Sequence, residues 1–236
     1  LAATLLADTP VRLDNVPEIR DVGVMLELVR ALGARVDHLG DQAWEVDAGS
    51  LERQDVDAEL AGQVRASFLL AGPLLARHGR AVLPRPGGDR IGRRPLDTHI
   101  HALHALGARI SVEPDRYRLD APSGLVGTEI FLQEMSVMAT ENTVMAAAAA
   151  DGITTIRNAA SEPHVQELCE MVSAMGAHVD GIGTNTLRVR GGRSLHGAEV
   201  TIGPDPVEVG SFIGLAAVTG GQHGNEESGR IVALGL

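Results

Sequence analysis

Val24-Met-Leu-Glu-Leu-Val-Arg-Ala-Leu-Gly-Ala-Arg-Val36, Ile100-His-Ala-Leu-His-Ala-Leu-Gly-Ala-Arg-Ile110 and Leu168-Cys-Glu-Met-Val-Ser-Ala-Met-Gly-Ala-His-Val179 carry one pattern three times. In each, apolar residues recur at helical spacing up to a glycine (Gly33, Gly107, Gly176), and a β-branched residue then opens a strand. The glycine suits a helix C-terminus because the chain there commonly turns through positive φ, which glycine reaches without a Cβ clash. A second short strand follows each copy, at Ala43 to Val46, Arg116 to Leu119 and Thr186 to Val189.

A second shared pattern lies upstream of each copy: a small-residue helix, a Gly or polar turn, then an alternating strand. Leu1 to Leu6 leads to Val11-Arg-Leu13, Ala66 to Ala76 leads through Gly79 to Ala81-Val-Leu83, and Thr143 to Ala150 leads through Gly152 to Thr154-Thr-Ile156. Pro17, Pro95 and Pro163 follow these strands, where each is expected to open the next helix. The spacing from Gly33 to Gly107 to Gly176 is 74 and then 69 residues, too long for a solenoid unit. Three helix–strand–helix–strand–strand repeats, about 1–62, 63–127 and 128–203, fit one α/β domain. Val207 to Thr219 reads as the first helix of a fourth unit, and the polar Gly220 to Gly229 as a flexible tail. The headless first helix and the abandoned fourth unit read as part of a longer protein.

Composition narrows the chemistry. The 236 residues include only five aromatics, Trp44, Phe68, Tyr117, Phe131 and Phe212, so Ala, Leu, Val, Ile and Met must build the core. A formal charge of −11 argues against a nucleic-acid or anionic-membrane surface. All 20 basic residues are arginines, which excludes a lysine nucleophile and leaves guanidinium forks to grip any anion. Cys169, alone of its kind, lies in an apolar helical pattern and reads as a buried core thiol. No apolar run reaches the length of a membrane span, and the chain reads as cytoplasmic.

The densest polar stretch is Pro86-Gly-Gly-Asp-Arg-Ile-Gly-Arg-Arg-Pro-Leu-Asp-Thr-His99. Glycines beside clustered arginines make an anion cradle, and the acid among them, Asp89, could deliver a proton as a phosphate departs. The alternative is a solvated turn with routine ion pairs. His99, His101 and His104 invite a metal, but no acid completes a set and a solvated helix face is favoured. Ser136 or Thr140 could cap the alanine-rich helix, and Pro204-Asp-Pro206 is a stiff bend or plain linker.

Taken together, the chain resembles the UDP-N-acetylglucosamine 1-carboxyvinyltransferases, EPSP synthase-like enolpyruvyl transferases of early peptidoglycan synthesis. The resemblance runs from Leu1 to about Gly221. It is carried by Ala2-Ala-Thr-Leu-Leu-Ala7, Asn15-Val-Pro17, Arg65-Ala-Ser67, Gly72-Pro73, Pro86-Gly-Gly88, Ile91-Gly92, Arg94-Pro95, Asp97, His99 and Leu106-Gly-Ala108. Ser136-Val137, Ala139-Thr-Glu-Asn142, Asn158-Ala-Ala160, Glu162-Pro163 and Leu195-His-Gly197 continue it.

The resemblance implies an inside-out α/β barrel: two lobes of three repeats each, helices inside, closing on substrates. It implies transfer of enolpyruvyl from phosphoenolpyruvate to the 3′-hydroxyl of UDP-N-acetylglucosamine through a tetrahedral intermediate, with neither metal nor cofactor. The mobile loop would be Pro86 to Arg94. Its acid position, most often cysteine, is here Asp89, which keeps a proton donor and removes the thiol that fosfomycin alkylates. Arg65 and Arg94 would hold phosphoenolpyruvate, and Pro95, Asp97, His99, Ser136 and Val137 would line the uridine side. Glu162 would be a buried acid of the closing network, and Asp205 would sit at the lobe crossover of 204–236.

Departures accompany the match. The family's Lys-Asn pair is expected just before Leu1, and most of a second lobe, with its own catalytic acid and arginine, beyond the C-terminus. Glu134 stands where lysine is common, Met138 where glycine is, Thr98 where leucine is, and Ser161 and Pro206 replace arginines. A degenerate sugar-nucleotide-binding or structural homologue is one alternative reading. A 3-phosphoshikimate 1-carboxyvinyltransferase is another, against which the Pro86 to Pro95 loop argues.

Overall fold

The computed structural model describes residues 1–89, 92, 94–192 and 194–219. Two compact units are present, one spanning Leu1–Thr201 and a second starting at Ile202.

The first unit is built from the threefold pattern. A 3₁₀ helix at Ala2–Leu6 precedes β1 (Val11–Asp14), α1 (Arg20–Ala31), β2 (Arg35–Gly40) and β3 (Ala43–Asp47). After the short α2 (Ala58–Ala61) come a 3₁₀ helix at Arg65–Leu70, α3 (Ala71–His78), β4 (Arg80–Pro84), α4 (Asp97–Ala105), β5 (Arg109–Val112) and β6 (Arg116–Asp120). The third set is β7 (Glu129–Phe131), α5 (Val137–Ala148), β8 (Ile153–Arg157), α6 (Pro163–Ala174), β9 (His178–Asp180), β10 (Thr186–Arg190) and β11 (Glu199–Thr201). Gly33, Gly107 and Gly176 have φ of 108°, 105° and 111°, so the three equivalent turns share one conformation that a Cβ would strain. Leu32, Leu106 and Met175, just before them, accept equivalent bonds from the amides of Arg53, Val126 and His196.

Proline opens a helix in only one repeat. Pro163 occupies the first turn of α6, whereas α1 begins at Arg20 behind Ile19 and α4 at Asp97 behind Leu96. Pro17 and Pro95 therefore sit in the extended approach, which proline's fixed φ also suits.

Within each repeat the sheet order is first strand, third strand, second strand: β1-β3-β2, β4-β6-β5 and β8-β10-β9. The remaining edge of each first strand is covered in parallel, for β8 by chain at the head of its own repeat and for β4 and β1 by chain from the end of another repeat. β7 pairs with β8, Asp55 bridges to Val82 of β4, and β11 pairs with β1, Leu13 opposite Val200. The third repeat thus completes the sheet of the first, and the unit closes on itself.

Inside the sheets lie the opening helices. Every residue of Ala2–Leu6 is buried, as are Ala71 to Leu75 of α3 and most of α5. Helix α3 packs against both α5 and the first 3₁₀ helix. A helix apolar on all sides belongs in a core, and alanine and glycine let these backbones approach closely. Cys169 is a buried free thiol, raised to about 12 chiefly by burial.

At the C-terminal ends of the inner helices, Arg77 donates to the carbonyls of Leu5 and Ala7. These carbonyls have no partner within their own helix, and a guanidinium is well suited to them. Arg77 also lines a cavity of about 210 Å³ with Asp8, Ser194 and neighbouring apolar residues.

The second unit's one helix among the described residues is α7 (Pro206–Thr219), whose first turn is capped by Asp205: its Oδ1 accepts from the Val207 amide at 2.8 Å. The expected flexible tail, Gly220 to Gly229, lies outside the described residues.

At the seam between β1 and β11, a Cβ on Gly197 would stand 1.8 Å from the Pro10 carbonyl oxygen, whereas one on Gly23 meets nothing within 4 Å. Gly197→Ala is expected to lower stability by roughly 2 kcal/mol or more, and Gly23→Ala, inside α1, to raise it by up to about 1 kcal/mol. Urea unfolding of the two variants checks the closure; equal stabilities would contradict it.

Candidate active site

The Pro86 to Arg94 segment is anchored on Arg65 from both sides. Gly87 donates its amide to the Ala61 carbonyl at 3.0 Å. A Cβ on Gly87 would stand 1.7 Å from the Gly62 carbonyl oxygen, and one on Gly88 3.0 Å from the Arg65 amide nitrogen. Only glycines allow this backbone-on-backbone approach, which delivers the exposed Asp89 beside the start of the second 3₁₀ helix. At the far end, Arg65 Nη2 donates to the Arg94 carbonyl at 2.5 Å. The loop is thereby held against the 61–65 segment at Gly87–Gly88 and at Arg94, with the exposed Asp89 next to Gly88, while Arg90, Ile91 and Arg93 lie outside the described residues.

The electrostatics favour an anion. Burial, followed by repulsion from Arg94, depresses the Arg65 guanidinium from its ordinary value. Arg65 Nε is buried without a hydrogen-bond acceptor among the described residues. No described carboxylate forms an ion pair with Arg65 or Arg94. Two crowded guanidinium groups with a free buried N–H gain from a phosphate or carboxylate more than from water.

Beyond Arg94, the exposed Pro95 and Asp97 lead into α4, where His99 is only 4 % exposed. Its ring meets Phe68 edge-on at 5.1 Å, and Phe68 in turn meets Tyr117 at 5.3 Å. Two of the five aromatics therefore lie beneath the site. Burial, then Arg65, lowers His99 to about 4, so the ring is neutral at physiological pH. His101 is exposed and His104 Nδ1 lies 2.9 Å from the Ala108 carbonyl, so the three histidines serve different surroundings.

Ser136 caps α5, its Oγ accepting from the Ala139 amide at 3.3 Å. Thr140 instead ties α5 to the chain ahead of α6. Its hydroxyl donates to the Ser136 carbonyl at 2.8 Å and accepts from the Ala160 amide at 3.0 Å. Val137 follows Ser136 at the same half-buried helix start, near the exposed Glu134.

Two residues stand apart from this cluster. Glu162 is exposed and precedes α6, its carbonyl accepting from the Val165 amide, so the expected burial of this acid is not found. The acid shifted by its surroundings is the half-buried Glu141 instead, which burial pushes up to about 7, with Glu162 adding repulsion. Asp205 belongs to the second unit as the cap of α7. Two residues beyond the candidates that the sequence marks are Glu141 and Asn142 of α5. Their signal is a charged and an amide side chain between two threonines in a helix that is apolar elsewhere.

The comparisons with known proteins match this architecture. The sequence model of the family described as EPSP synthase (3-phosphoshikimate 1-carboxyvinyltransferase) matches residues 1–223. The chain belongs to the EPSP synthase family. UDP-N-acetylglucosamine 1-carboxyvinyltransferase of Treponema denticola is 52 % identical over 222 residues, 94 % of this chain and 52 % of the relative. That of Bradyrhizobium diazoefficiens is 52 % identical over 219 residues, 93 % of this chain and 50 % of the relative. The enolpyruvyl transferase NikO from Streptomyces tendae superimposes with a TM-score of 0.78 at 27 % identity, covering 90 % of this chain and 50 % of its own. The chain thus spans about half the length of the curated relatives it matches.

Glu141 gives a pH test with a definite sign. Folded, it keeps its proton up to about pH 7, whereas an unfolded glutamate releases it near the ordinary 4.5. Its contribution to stability is therefore present at low pH and is lost as pH rises through that window. Glu141→Gln is expected to remove this loss, gaining on the order of 2 kcal/mol over the parent at pH 8 and little at pH 4.5. Chemical unfolding at the two pH values measures it.

Proposed function

We propose that this chain is one lobe of a UDP-N-acetylglucosamine enolpyruvyl transferase acting in the cytoplasm at the first committed step of peptidoglycan synthesis. The observation that carries the reading is the Arg65–Arg94 pair, unpaired with any described carboxylate and gripped by the loop that presents Asp89. The names of relatives at 52 % identity supply the substrate class, and the family they share with shikimate enzymes supplies the reaction type.

In this reading the two guanidinium groups hold the phosphate and carboxylate of phosphoenolpyruvate. Asp89, in its protonated form, gives a proton to the methylene carbon while the sugar 3′-hydroxyl oxygen bonds to the adjacent carbon and passes its own proton to a carboxylate supplied by the second lobe. The tetrahedral intermediate then breaks its carbon–phosphate oxygen bond and returns a methyl proton to the Asp89 carboxylate, leaving enolpyruvyl on the sugar and free phosphate. Charge accumulating on that departing phosphate is what fixed guanidinium groups stabilise. Pro95, Asp97, His99, Ser136 and Val137 line the uridine side, and Glu162 and Asp205 act in closure onto a second lobe. Catalysis of this kind depends on positioning from both lobes, so the chain alone is expected to be inactive.

Joined to the half that its relatives carry, the protein is expected to release phosphate from phosphoenolpyruvate only with UDP-N-acetylglucosamine present. Asp89→Ala should lower the rate by about 10²- to 10⁴-fold. Asp89→Cys should retain turnover and gain inactivation by fosfomycin. No phosphate release above the Asp89→Ala level would contradict the assignment, and sugar-nucleotide binding without turnover would favour a non-catalytic homologue.

A further inference from the structure

The segments that carry the site meet at one carboxamide. Asn142 is fully buried in α5. Its Oδ1 accepts from the Gly72 amide at 2.7 Å, and its Nδ2 donates to the Phe68 carbonyl at 2.8 Å and lies 3.1 Å from His99 Nδ1. The orientation is forced, because the Gly72 N–H can only donate and the Phe68 carbonyl can only accept. Nδ2 must therefore be the atom that faces His99. An imidazole nitrogen facing an N–H donor carries no proton, so neutral His99 has its proton on Nε2.

The fit leaves no slack. A Cβ on Gly72 would lie 2.6 Å from the Asn142 carbonyl oxygen and 2.7 Å from Oδ1. Phe68 and Gly72 flank the helix junction three and seven residues beyond Arg65, His99 lies five beyond Arg94, and Ser136 begins the helix on which Asn142 sits. These segments come from two different repeats, and no other described side chain bonds to both the Phe68–Gly72 segment and α4.

We infer that Asn142 is a positioning residue: it sets Arg65, His99 and Ser136 in mutual register and fixes His99 as a neutral donor through Nε2. The inference deepens the proposed function and rests on its assignment of these residues to the substrate side. The groups facing His99 are the Arg65 guanidinium and Phe68 ring from the 3₁₀ helix and the uncharged amide from α5. None of them favours an imidazolium. An aspartate at 142 would still accept from Gly72, but would offer Nδ1 an anionic acceptor and leave the Phe68 carbonyl without its donor.

Nitrogen NMR of the histidine-labelled chain tests this without substrate. The parent is expected to show one tautomer, protonated on Nε2 and resisting further protonation down to about pH 4. Asn142→Asp should move the proton to Nδ1 and raise the protonation midpoint towards neutrality. In the protein completed with its second half, Asn142→Ala should lower kcat/KM for UDP-N-acetylglucosamine by about 10- to 100-fold. An Nδ1-protonated parent, an Asn142→Asp spectrum that titrates like the parent, or an Asn142→Ala enzyme with parental kcat/KM would each overturn the inference. Should the variants fail to fold, the parent tautomer decides alone. A completed parent without turnover counts against the proposed function only, since the tautomer is read independently.

Discussion

Parallel pairing along the free edge of each repeat's first strand, which for β1 and β4 comes from another repeat, is the constraint on which the structure depends. A three-stranded sheet with a bare edge strand is a weak element, and here each first strand has that edge covered. Because β11 returns to β1, the pairing forms a closed set in which Leu1 to Thr201 act together. Closure also dictates what lies inside. The opening helices are buried, so their side chains are mostly apolar and small, and α3 packs against both α5 and the first 3₁₀ helix. The scarcity of aromatics is a consequence of this arrangement.

The site arises where that symmetry is broken. The second repeat alone carries the Pro86–Arg94 excursion between its first strand and its outer helix. The third alone places an amide, Asn142, in its inner helix against the second. The buried polar groups offset their desolvation by being nearly fully bonded: Asn142 uses both its oxygen and its nitrogen, and Thr140 both donates and accepts. Three buried side-chain atoms among the described residues have no partner, Arg65 Nε, His78 Nε2 and Thr154 Oγ1, and the first of them lies at the point where the proposed substrate anion would bind. An unmet donor in such a setting costs stability, and a ligand that meets it recovers that cost on binding.

Much of this was legible in the sequence, for identifiable reasons. The glycine-closed helices repeat because positive φ at Gly33, Gly107 and Gly176 is a local requirement that leaves a local mark. The Gly87–Gly88 pair and the arginines around it marked the loop, and Ser136 the start of α5. What escaped was non-local. β7 and β11 are three-residue strands with no periodicity of their own, formed only because a distant strand offers an edge. The exposure of Glu162 and the shift of Glu141 depend on how α5 and α6 pack, which neighbouring residues do not record. The bond between Asn142 and His99 spans 43 positions and two repeats.

The central claim is that Arg65 and Arg94 form the anion clamp of this lobe. It is tested most directly by following the arginine Nε–H resonances of the chain while phosphoenolpyruvate is added. The account predicts saturable shifts at Arg65 and Arg94, suppressed when the two are replaced by glutamine, with Arg77 unmoved at the other end of the inner helices. Shifts confined to Arg77, or a saturable response that survives the loss of Arg65 and Arg94, would contradict it.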